Sequence, residues 1–352
     1  MLSDSQFRDL VSGHWKGPLA IVLRGALWML AHPYGWIVRR RNSRFDRGDV
    51  QPTRVAAPVI SVGNITVGGT GKSPFVAWLA RWFLNRHTAV TIISRGYGSR
   101  GGKPNDEALE LAARLPGVPH LQNPDRALAA KEALAANPGQ VLILDDAFQH
   151  RRLARNLDIV LLDALAPFGY DHLLPRGLLR EPVTSLSRAH VVALSRSDAV
   201  SEDRRCEIET IVREAAPQAR WLELTHQPTR LVSASGDSLE LAALRGDRVA
   251  AFCGIGNPAG FRSTLASCGF AIAGWLELPD HCPYGEREIA RVVKWLAALD
   301  ARHVLCTRKD LVKIPQAKIA GKQLWALDVE LAIVRGQNEL EALLQQIAPR
   351  ES

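Results

Sequence analysis

The sequence has few cysteines, and no two of them have a metal-binding or redox spacing. Its five cysteines are scattered, and no C-x-x-C pair occurs among them. This pattern excludes the common zinc sites and a disulfide framework, so we expect reduced thiols in a cytosolic protein. Low-complexity tracts are also missing, which argues against long disordered segments. Because no charged leader precedes a small-residue cleavage site, we expect no secretory signal peptide.

The sequence also lacks a long, clean apolar run near its N-terminus. The best candidate, residues 17–38, contains Arg24 and His32, and we expect Pro33 and Gly35 to break the helix there. Tryptophans lie in or beside this stretch, and the basic sequence RRRNSR follows it. Apolar bulk with adjacent tryptophan and arginine favours a helix lying in a membrane surface. The alternatives are a helix docked on the protein's own core and a spanning helix.

Length, composition and charge indicate a packed chain with an anionic partner. The chain has 352 residues, of which 47% are hydrophobic, and this is enough for two packed domains. Its net charge is +8 and its pI is about 9.5. A basic balance of this size favours a nucleotide, a nucleic acid or an anionic lipid as partner, although a soluble basic surface is the plainer explanation.

Short β-rich runs alternate with helical patterns along the chain. This alternation predicts an α/β fold with a parallel sheet and helices on both faces. A second, smaller α/β series begins after about residue 230. Two extended segments, 221–232 and 323–334, bracket this series and are predicted to pair as a two-stranded connector. The first series is expected near strands 59–62, 89–94, 141–144, 159–163 and 191–195, and the second near strands 248–253, 271–276 and 303–307.

The stretch VGNITVGGTGKSPF lies between a predicted strand and a predicted helix. It resembles a Walker A loop, although Thr66 stands where the strict pattern requires glycine. The glycines allow successive N–H groups to face phosphate, and the following helix adds the partial positive charge of its N-terminus. Lys72 is placed to reach the β- and γ-phosphates, and Ser73 to bind Mg²⁺. The predicted nucleotide-binding residues are Thr66, Val67, Gly68, Gly69, Thr70, Gly71, Lys72 and Ser73.

A pair of aspartates follows the apolar run of VLILDDAFQHRRL. Beside a phosphate loop, Asp145 and Asp146 are the favoured Walker B ligands of Mg²⁺, whereas alone they would indicate a plain turn. The polar residues after them, from Gln149 to Arg152, are expected on the same rim, where they would be available to phosphates.

The residues themselves leave two kinds of function open, a hydrolysing switch and a kinase. TRKD resembles the guanine-reading motif of GTPases only weakly, because Lys309 immediately precedes Asp310. Partition ATPases carry a signature lysine where this chain has Val67. A kinase needs a base on the acceptor side, and Asp106 opens a predicted helix after SRGYG. The plainer explanation of Asp106 is a helix N-cap.

Seven motifs in order give the sequence a specific resemblance. They are GNITVGGTGKSP, SRGYG, DDAFQHRRL, LPRGLLREP, GIGNPAGF, LPDHCPYGERE and TRKDLVK. In this order they resemble the tetraacyldisaccharide 4′-kinase family, the lipid A 4′-kinases of Gram-negative bacteria, over almost the whole chain. The resemblance implies ATP-dependent phosphorylation of the 4′-hydroxyl of a tetraacylated glucosamine disaccharide 1-phosphate, in lipid A biosynthesis.

The resemblance also implies roles for particular residues. Lys72, Ser73, Asp145 and Asp146 take the Walker roles, and Glu181 of LREP lies near the metal. The family's proposed base corresponds to Asp106, assisted by His281 of the PDH motif. This chain reads NDEA where the family has GDEP, and its loop before Asp106 is short. We expect Asp106 from the first lobe and His281 from the second to meet when the lobes close.

The implied partners are ATP, Mg²⁺, the acylated disaccharide lipid and the inner-membrane surface, with no nucleic acid and no oligomer implied. The implied location is the cytoplasmic face of the inner membrane, with a peripheral or monotopic attachment through the N-terminal helix. The alternative is a membrane-associated P-loop NTPase switch whose second lobe binds a partner. The predicted domains are a membrane-associating helical segment (1–45), a P-loop kinase domain (46–225), a smaller α/β lobe with connector strands (226–335) and a C-terminal helix returning to the first lobe (336–352).

Overall fold

The computed structural model of the protein describes residues 4–96, 106–280 and 282–349. The helices are α1 (Asp4–Ser12), α2 (Pro18–Asp46), α3 (Lys72–Leu84), α4 (Asp106–Arg114), α5 (Arg126–Ala136), α6 (Glu202–Ala215), α7 (Pro258–Ser267), α8 (Glu286–Ala297), α9 (Arg308–Leu311) and α10 (Gln337–Ile347). The strands are β1 (Val59–Asn64), β2 (Val90–Ser94), β3 (His120–Gln122), β4 (Val141–Asp145), β5 (Leu157–Asp163), β6 (Val191–Ser195), β7 (Arg220–Val232), β8 (Ser238–Glu240), β9 (Arg248–Cys253), β10 (Ala271–Glu277), β11 (His303–Thr307), β12 (Lys318–Ile319) and β13 (Lys322–Arg335).

The described residues form two compact units. The first contains residues 4–96, 117–225 and 332–349, and the second contains 106–116, 226–280 and 282–331. The chain passes between them along β7 and again along β13, the two long strands predicted as a connector. Helix α4 corrects the sequence analysis, because it groups with the second unit although it was predicted in the first.

The first unit is built on a parallel sheet with the strand order β3–β2–β4–β1–β5–β6–β7. Strands β1, β2, β4 and β6 are buried along their whole length, as expected for strands covered on both faces. In the register, Val62 of β1 lies opposite Asp145 of β4. The carboxyl ends of these two strands therefore meet at one edge of the sheet, where ligands bind in folds of this class.

The second unit has its own parallel strands in the order β10–β9–β11–β13. Two short strands run antiparallel to their partners, β12 on β13 and β8 on β7. The prediction of an α/β fold with a large, mostly parallel sheet is confirmed.

Helix α2 differs from its prediction, because it continues through Pro33 and Gly35 for 29 residues. A proline inside a helix removes one backbone hydrogen bond, but it does not end the helix when packing holds both sides. Gly35 is a packing residue, since a Cβ there would lie 2.9 Å from Leu173 Cδ1. Gly35 therefore allows α2 to pack closely against Leu173 and does not break the helix.

Candidate active site

The phosphate loop connects β1 to α3 in the first unit. It ends at Gly71, which caps α3 with a left-handed φ of 81°, and Gly68 has a φ of 118°. Side chains other than glycine rarely adopt these angles. Thr70 is buried, and its Oγ1 accepts a hydrogen bond from Asn64 Nδ2 at 3.3 Å. The glycines thus shape the loop so that it delivers its last residues to the N-terminus of α3, an anion-binding position.

The start of the loop is fixed by a segment that the motif does not include. The N–H of Val67 donates to the carbonyl of Leu178 at 2.8 Å, and the N–H of Arg180 donates to the carbonyl of Ile65 at 2.7 Å. The Val67 N–H is therefore engaged within the protein, and its predicted contact with phosphate stays a prediction. The residues that can still turn their N–H groups to phosphate are Gly68, Gly69, Thr70, Gly71, Lys72 and Ser73.

The two predicted Walker B aspartates have different surroundings. Asp145 ends β4 and is 1% exposed. Asp146 follows with a left-handed φ of 51°, and its side chain is 37% exposed. The neighbouring turn packs closely on β1, because a Cβ at Gly63 would lie 2.7 Å from Phe148 Cβ. This close approach brings the aspartates to the phosphate loop.

Two cations converge on Asp146. Lys72 Nζ lies 3.5 Å from its Oδ1, and Arg180 donates to Oδ1 at 2.5 Å and to Oδ2 at 3.0 Å. Burial alone would raise the pKa of Asp146, but the charges of Lys72 and Arg180 outweigh it and hold the pKa below its ordinary value. Arg180 also donates to Asn64 Oδ1. This edge is therefore a charged site that holds a lysine and an arginine ready for phosphate oxygens.

Sequence reasoning missed Arg180 and a second arginine, Arg126. Arg126 opens α5 and is 4% exposed. Burial lowers the pKa of its guanidinium, and the nearby charge of Asp146 acts in the opposite direction. Arg180 immediately precedes Glu181 in LREP, so that motif could have indicated it. Arg126 stands alone at a helix start, and nothing in the sequence marks it as a site residue.

Glu181 of LREP is paired with two arginines. It is fully buried, and its two carboxylate oxygens accept from Arg41 Nη2 and Arg188 Nη2, each at 2.5 Å. Both oxygens are thus engaged by guanidinium groups. Glu181 thus anchors two arginines, and its predicted place near the metal stays a prediction.

The residues after Walker B are engaged with the protein. Gln149 donates to the carbonyl of Asn64 at 2.8 Å. Arg151 pairs with Asp46 at 2.8 Å and donates to the carbonyl of Asn42 at 3.1 Å, so it holds the end of α2. Burial lowers the pKa of His150 to about 4, with nearby arginines adding to the effect. The prediction that Arg151 faces phosphates is wrong, since its hydrogen bonds go to α2.

The donor chemistry at this edge fits Mg²⁺ bound together with a nucleotide. Within the described ranges, no three His, Cys, Asp or Glu side chains lie close enough to bind a metal on their own. Magnesium in phosphate-transfer sites uses one or two protein oxygens and completes its shell with phosphate and water. A serine hydroxyl at the start of α3 and an aspartate at the end of β4 are such oxygens. Ser73, Asp145 and Asp146 therefore remain suitable ligands.

The predicted base, Asp106, belongs to the second unit. Asp106 begins α4, and its carboxylate accepts from Lys313 Nζ at 3.1 Å. Its side chain is 21% exposed. His281 lies outside the described residues.

One surface of α2 is apolar and exposed, and we call it the α2 apolar face. Its members are 51–66% exposed, and they are Leu19, Ile21, Val22, Trp28, Met29, Leu30, Trp36 and Ile37. The opposite side of the helix is buried at Ala20, Gly35 and Val38. No helix in the described part of the chain is long and apolar enough to cross a membrane. The arginines that follow line a cavity of about 360 Å³, formed by Arg40, Ser43, Arg44, Arg47 and Asp49.

The chain is similar to a family of kinases. The sequence model of the family described as tetraacyldisaccharide-1-P 4′-kinase (LpxK) matches residues 23–348. The tetraacyldisaccharide 4′-kinase of Anaeromyxobacter dehalogenans is 38% identical over 347 residues, covering 93% of this chain and 92% of the relative. That of Syntrophus aciditrophicus is 35% identical over 360 residues, covering 94% of each. A crystal structure of LpxK from Aquifex aeolicus in complex with ATP is 28% identical, with a TM-score of 0.73 over 93% of this chain and 99% of that one.

Proposed function

The chain belongs to the tetraacyldisaccharide-1-P 4′-kinase family, and from this premise we propose that it transfers the γ-phosphoryl group of ATP to the 4′-hydroxyl of a tetraacylated glucosamine disaccharide 1-phosphate. The observation that carries the proposal is the convergence of Lys72 and Arg180 on Asp146 beside the phosphate loop. Membership of a kinase family removes the alternative of a nucleotide-hydrolysing switch.

The phosphate loop supplies the binding and orientation of ATP. The N–H groups between Gly68 and Ser73, together with the N-terminus of α3, attract the phosphate oxygens. Lys72 and Arg180 then stabilise the charge that develops on the transferred group. Asp146 holds both cations in position, so little reorganisation is needed when the phosphates arrive.

Mg²⁺ is the implied metal, and Ser73, Asp145 and Asp146 are the residues that we propose to hold it. When bound, the ion neutralises charge on the β- and γ-phosphates. Asp145 is buried at the end of a central strand, which fixes its carboxylate. Asp146 serves the cations as well as the metal.

The acceptor hydroxyl needs a base, and we assign this role to Asp106, with His281 as its assistant. The assignment rests on the family motif, in which Asp106 and His281 occupy the matching positions. In the reaction, the hydroxyl proton passes to the carboxylate as the sugar oxygen bonds to the γ-phosphorus. The bond from that phosphorus to the β–γ bridging oxygen breaks, and ADP leaves.

A lipid-dependent kinase assay tests the proposed function. ATP, Mg²⁺ and the tetraacylated disaccharide 1-phosphate are supplied in detergent, and the lipid product is separated for phosphate analysis. We expect ADP formation to depend on the lipid and to match the appearance of a 4′-phosphomonoester. ADP formation at the same rate without lipid would contradict the proposal.

We also propose that the α2 apolar face attaches the protein to the cytoplasmic surface of the inner membrane. A tetraacylated lipid is costly to extract, at about 0.8 kcal/mol per CH₂, so the enzyme must work at the bilayer. Tryptophans favour the interfacial depth, and the arginines after Trp36 favour anionic headgroups.

Vesicle sedimentation tests the attachment. Replacing Ile21 and Met29 with glutamate should lower binding to phosphatidylglycerol vesicles by roughly tenfold or more, because two apolar contacts become charged. The matched control carries Leu128→Glu and Leu165→Glu, at two leucines of the first unit outside α2 that are 48% and 53% exposed. Equal binding by the two double variants would overturn the assignment of the α2 apolar face.

A further inference from the structure

Several motifs of the second unit take no part in phosphate binding, yet they meet at one buried aspartate. Asp310 of TRKDLVK has no exposed surface. Its carboxylate accepts from the N–H of Gly254 at 3.2 Å and from Thr307 Oγ1 at 2.7 Å. Gly254 begins GIGNPAGF, so two distant motifs share one carboxylate. The buried Asp310 therefore organises this part of the unit and cannot read a nucleotide base.

Tyr284 of the PYG motif and Lys313 at the end of TRKDLVK lie near the same carboxylate. Burial raises the pKa of Asp310, while the hydroxyls of Thr307 and Tyr284 and the charge of Lys313 act against the rise without cancelling it. Tyr284 is 5% exposed, and Lys313 Nζ lies 5.2 Å from the centroid of its ring. An ammonium over an aromatic face is attracted by the ring. The Tyr284 ring thus contacts Lys313 on one side of its ammonium group.

On its other side, Lys313 meets Asp106. The Nζ–Oδ2 distance is 3.1 Å, and the lysine side chain is only 6% exposed. Ordering a lysine side chain normally costs up to about 2 kcal/mol of conformational entropy, and the contact with the Tyr284 ring offsets part of this cost. The titratable and charged groups that face Lys313 are Asp106 on α4, Asp310 on α9, Tyr284 and Cys282 before α8, and Cys306 on β11.

We propose that Lys313 is a positioning residue for Asp106, which orients the carboxylate and keeps it ionised so that it can accept the proton of the sugar hydroxyl. This inference rests on the proposed function, in which Asp106 is the base. The inference assigns a role to TRKDLVK, because Thr307 and Asp310 hold the turn from which Lys313 contacts Asp106 on α4. The glycine turn at Gly254 and the ring of Tyr284 complete the support.

The charge of Lys313 gives the inference a measurable signature. A neighbouring cation favours the ionised carboxylate, so its removal raises the pKa of the base. The acidic limb of the kcat–pH profile should then move to higher pH in Lys313→Met, which keeps the length of the side chain but not its charge. A purely structural ion pair would change stability and leave the limb in place.

The experiment uses the full chain and the lipid kinase assay with four variants. Lys313→Met removes the charge and Lys313→Arg keeps it, whereas Asp106→Asn removes the base. Lys294→Met makes the same change at an exposed lysine of α8. We expect Lys313→Met to lower kcat by about 10- to 100-fold, with KM for ATP within about twofold and the acidic limb shifted upward. Lys313→Arg should keep kcat within about threefold of wild type, and Lys294→Met should match wild type.

A double variant keeps the test decisive if Lys313→Met is less stable. In the Asp106→Asn background, Lys313→Met should cost almost nothing further, because the carboxylate on which it acts is gone. An unchanged kcat and pH limb in Lys313→Met, or an equal loss in both backgrounds, would overturn the inference and leave the kinase function standing. Wild-type transfer by Asp106→Asn would overturn both the base and the role of Lys313. Absence of lipid-dependent transfer in the wild type would overturn the proposed function itself.

Discussion

Two aspartates stand just beyond the ends of parallel strands, one in each unit, and their surroundings are opposite. Asp146 follows β4, keeps 37% of its side chain exposed and is held by Lys72 and Arg180. Asp310 follows β11, is fully buried and accepts from neutral donors, Thr307 and Gly254. The pKa of Asp146 lies below its ordinary value and the pKa of Asp310 lies above it.

The difference shows why position after a strand does not by itself define a functional carboxylate. An exposed, charge-paired aspartate can exchange its partners for phosphate or metal at small cost. A buried aspartate bonded to hydroxyl and amide groups cannot, because any exchange leaves those donors unsatisfied. TRKD and the Walker B pair both follow an apolar strand, but Asp310 is enclosed within its own unit, whereas Asp146 contacts the lysine of the phosphate loop.

The largest expected effect is on activity, at Asp146. Asp146→Asn removes the carboxylate that holds Lys72 and Arg180, and we expect kcat to fall by about 100-fold or more. The melting temperature should change little, since partly exposed ion pairs contribute about 0–1 kcal/mol. The lipid kinase assay and thermal unfolding measure the two effects.

Asp49→Asn is the matched control, because Asp49 pairs with Arg47 on the exposed surface of the same unit. It should leave both quantities unchanged. If kcat falls by less than about tenfold in Asp146→Asn, Asp146 is a structural residue like Asp310, and the two aspartates do not differ in function.

The next effect is on stability, at Asp310. Asp310→Leu leaves the Gly254 N–H and the Thr307 hydroxyl buried without their acceptor, and we expect a loss of about 2–4 kcal/mol in unfolding free energy. Hydrogen exchange should show the loss in β9 and β11 rather than in β1 and β4. Asp310→Asn retains an acceptor oxygen and should cost less. Full stability of Asp310→Leu would show that the network is dispensable.

The smallest effect is on how the stability of each unit depends on pH. Burial lowers the pKa of His120 and of His150, both in the first unit, to about 4. The unfolded chain binds these protons near pH 6.5, so stability present at pH 7 is lost as the pH falls towards 4, by about 2 kcal/mol per histidine at pH 5. The raised pKa of Asp310 has the opposite sign, since its contribution is present at low pH and is lost as the pH rises through the folded pKa.

Urea unfolding at pH 7, 6 and 5 measures the pH effect on the full chain. His120→Gln keeps a polar side chain next to Ser94, to which the histidine ring is hydrogen-bonded at 2.8 Å. It should flatten the decline between pH 7 and 5. An identical slope in the variant would show that His120 does not titrate differently on unfolding.

The sequence predicted the features that depend on local pattern. The segment from β1 through the glycine loop to α3 is continuous in the chain, so apolar runs and glycines are sufficient to locate it. The end of β4 with Asp145 followed from the same reasoning. The short β3 and the polar α6 were missed, because three residues and two buried side chains, Ile208 and Val212, give little periodic signal.

The features that the sequence did not show depend on contacts between distant residues. The motif gives no sign of Arg41, the partner of Glu181, which lies 140 residues away. Asp106 was placed in the wrong unit because its partner Lys313 lies 207 residues later. Pro33 was expected to end α2, but the helix is held on both sides of it by packing that no local rule describes.

The fastening of α2 has a mechanical consequence. Tyr34 donates to the carbonyl of Arg180 at 3.0 Å, and Arg41 pairs with Glu181, so two contacts hold α2 against the residues beside the phosphate loop. At about 1.5 Å per residue, α2 is a stiff rod of roughly 43 Å. If the α2 apolar face rests on the bilayer as proposed, the helix fixes the distance of the phosphate loop from the lipid surface.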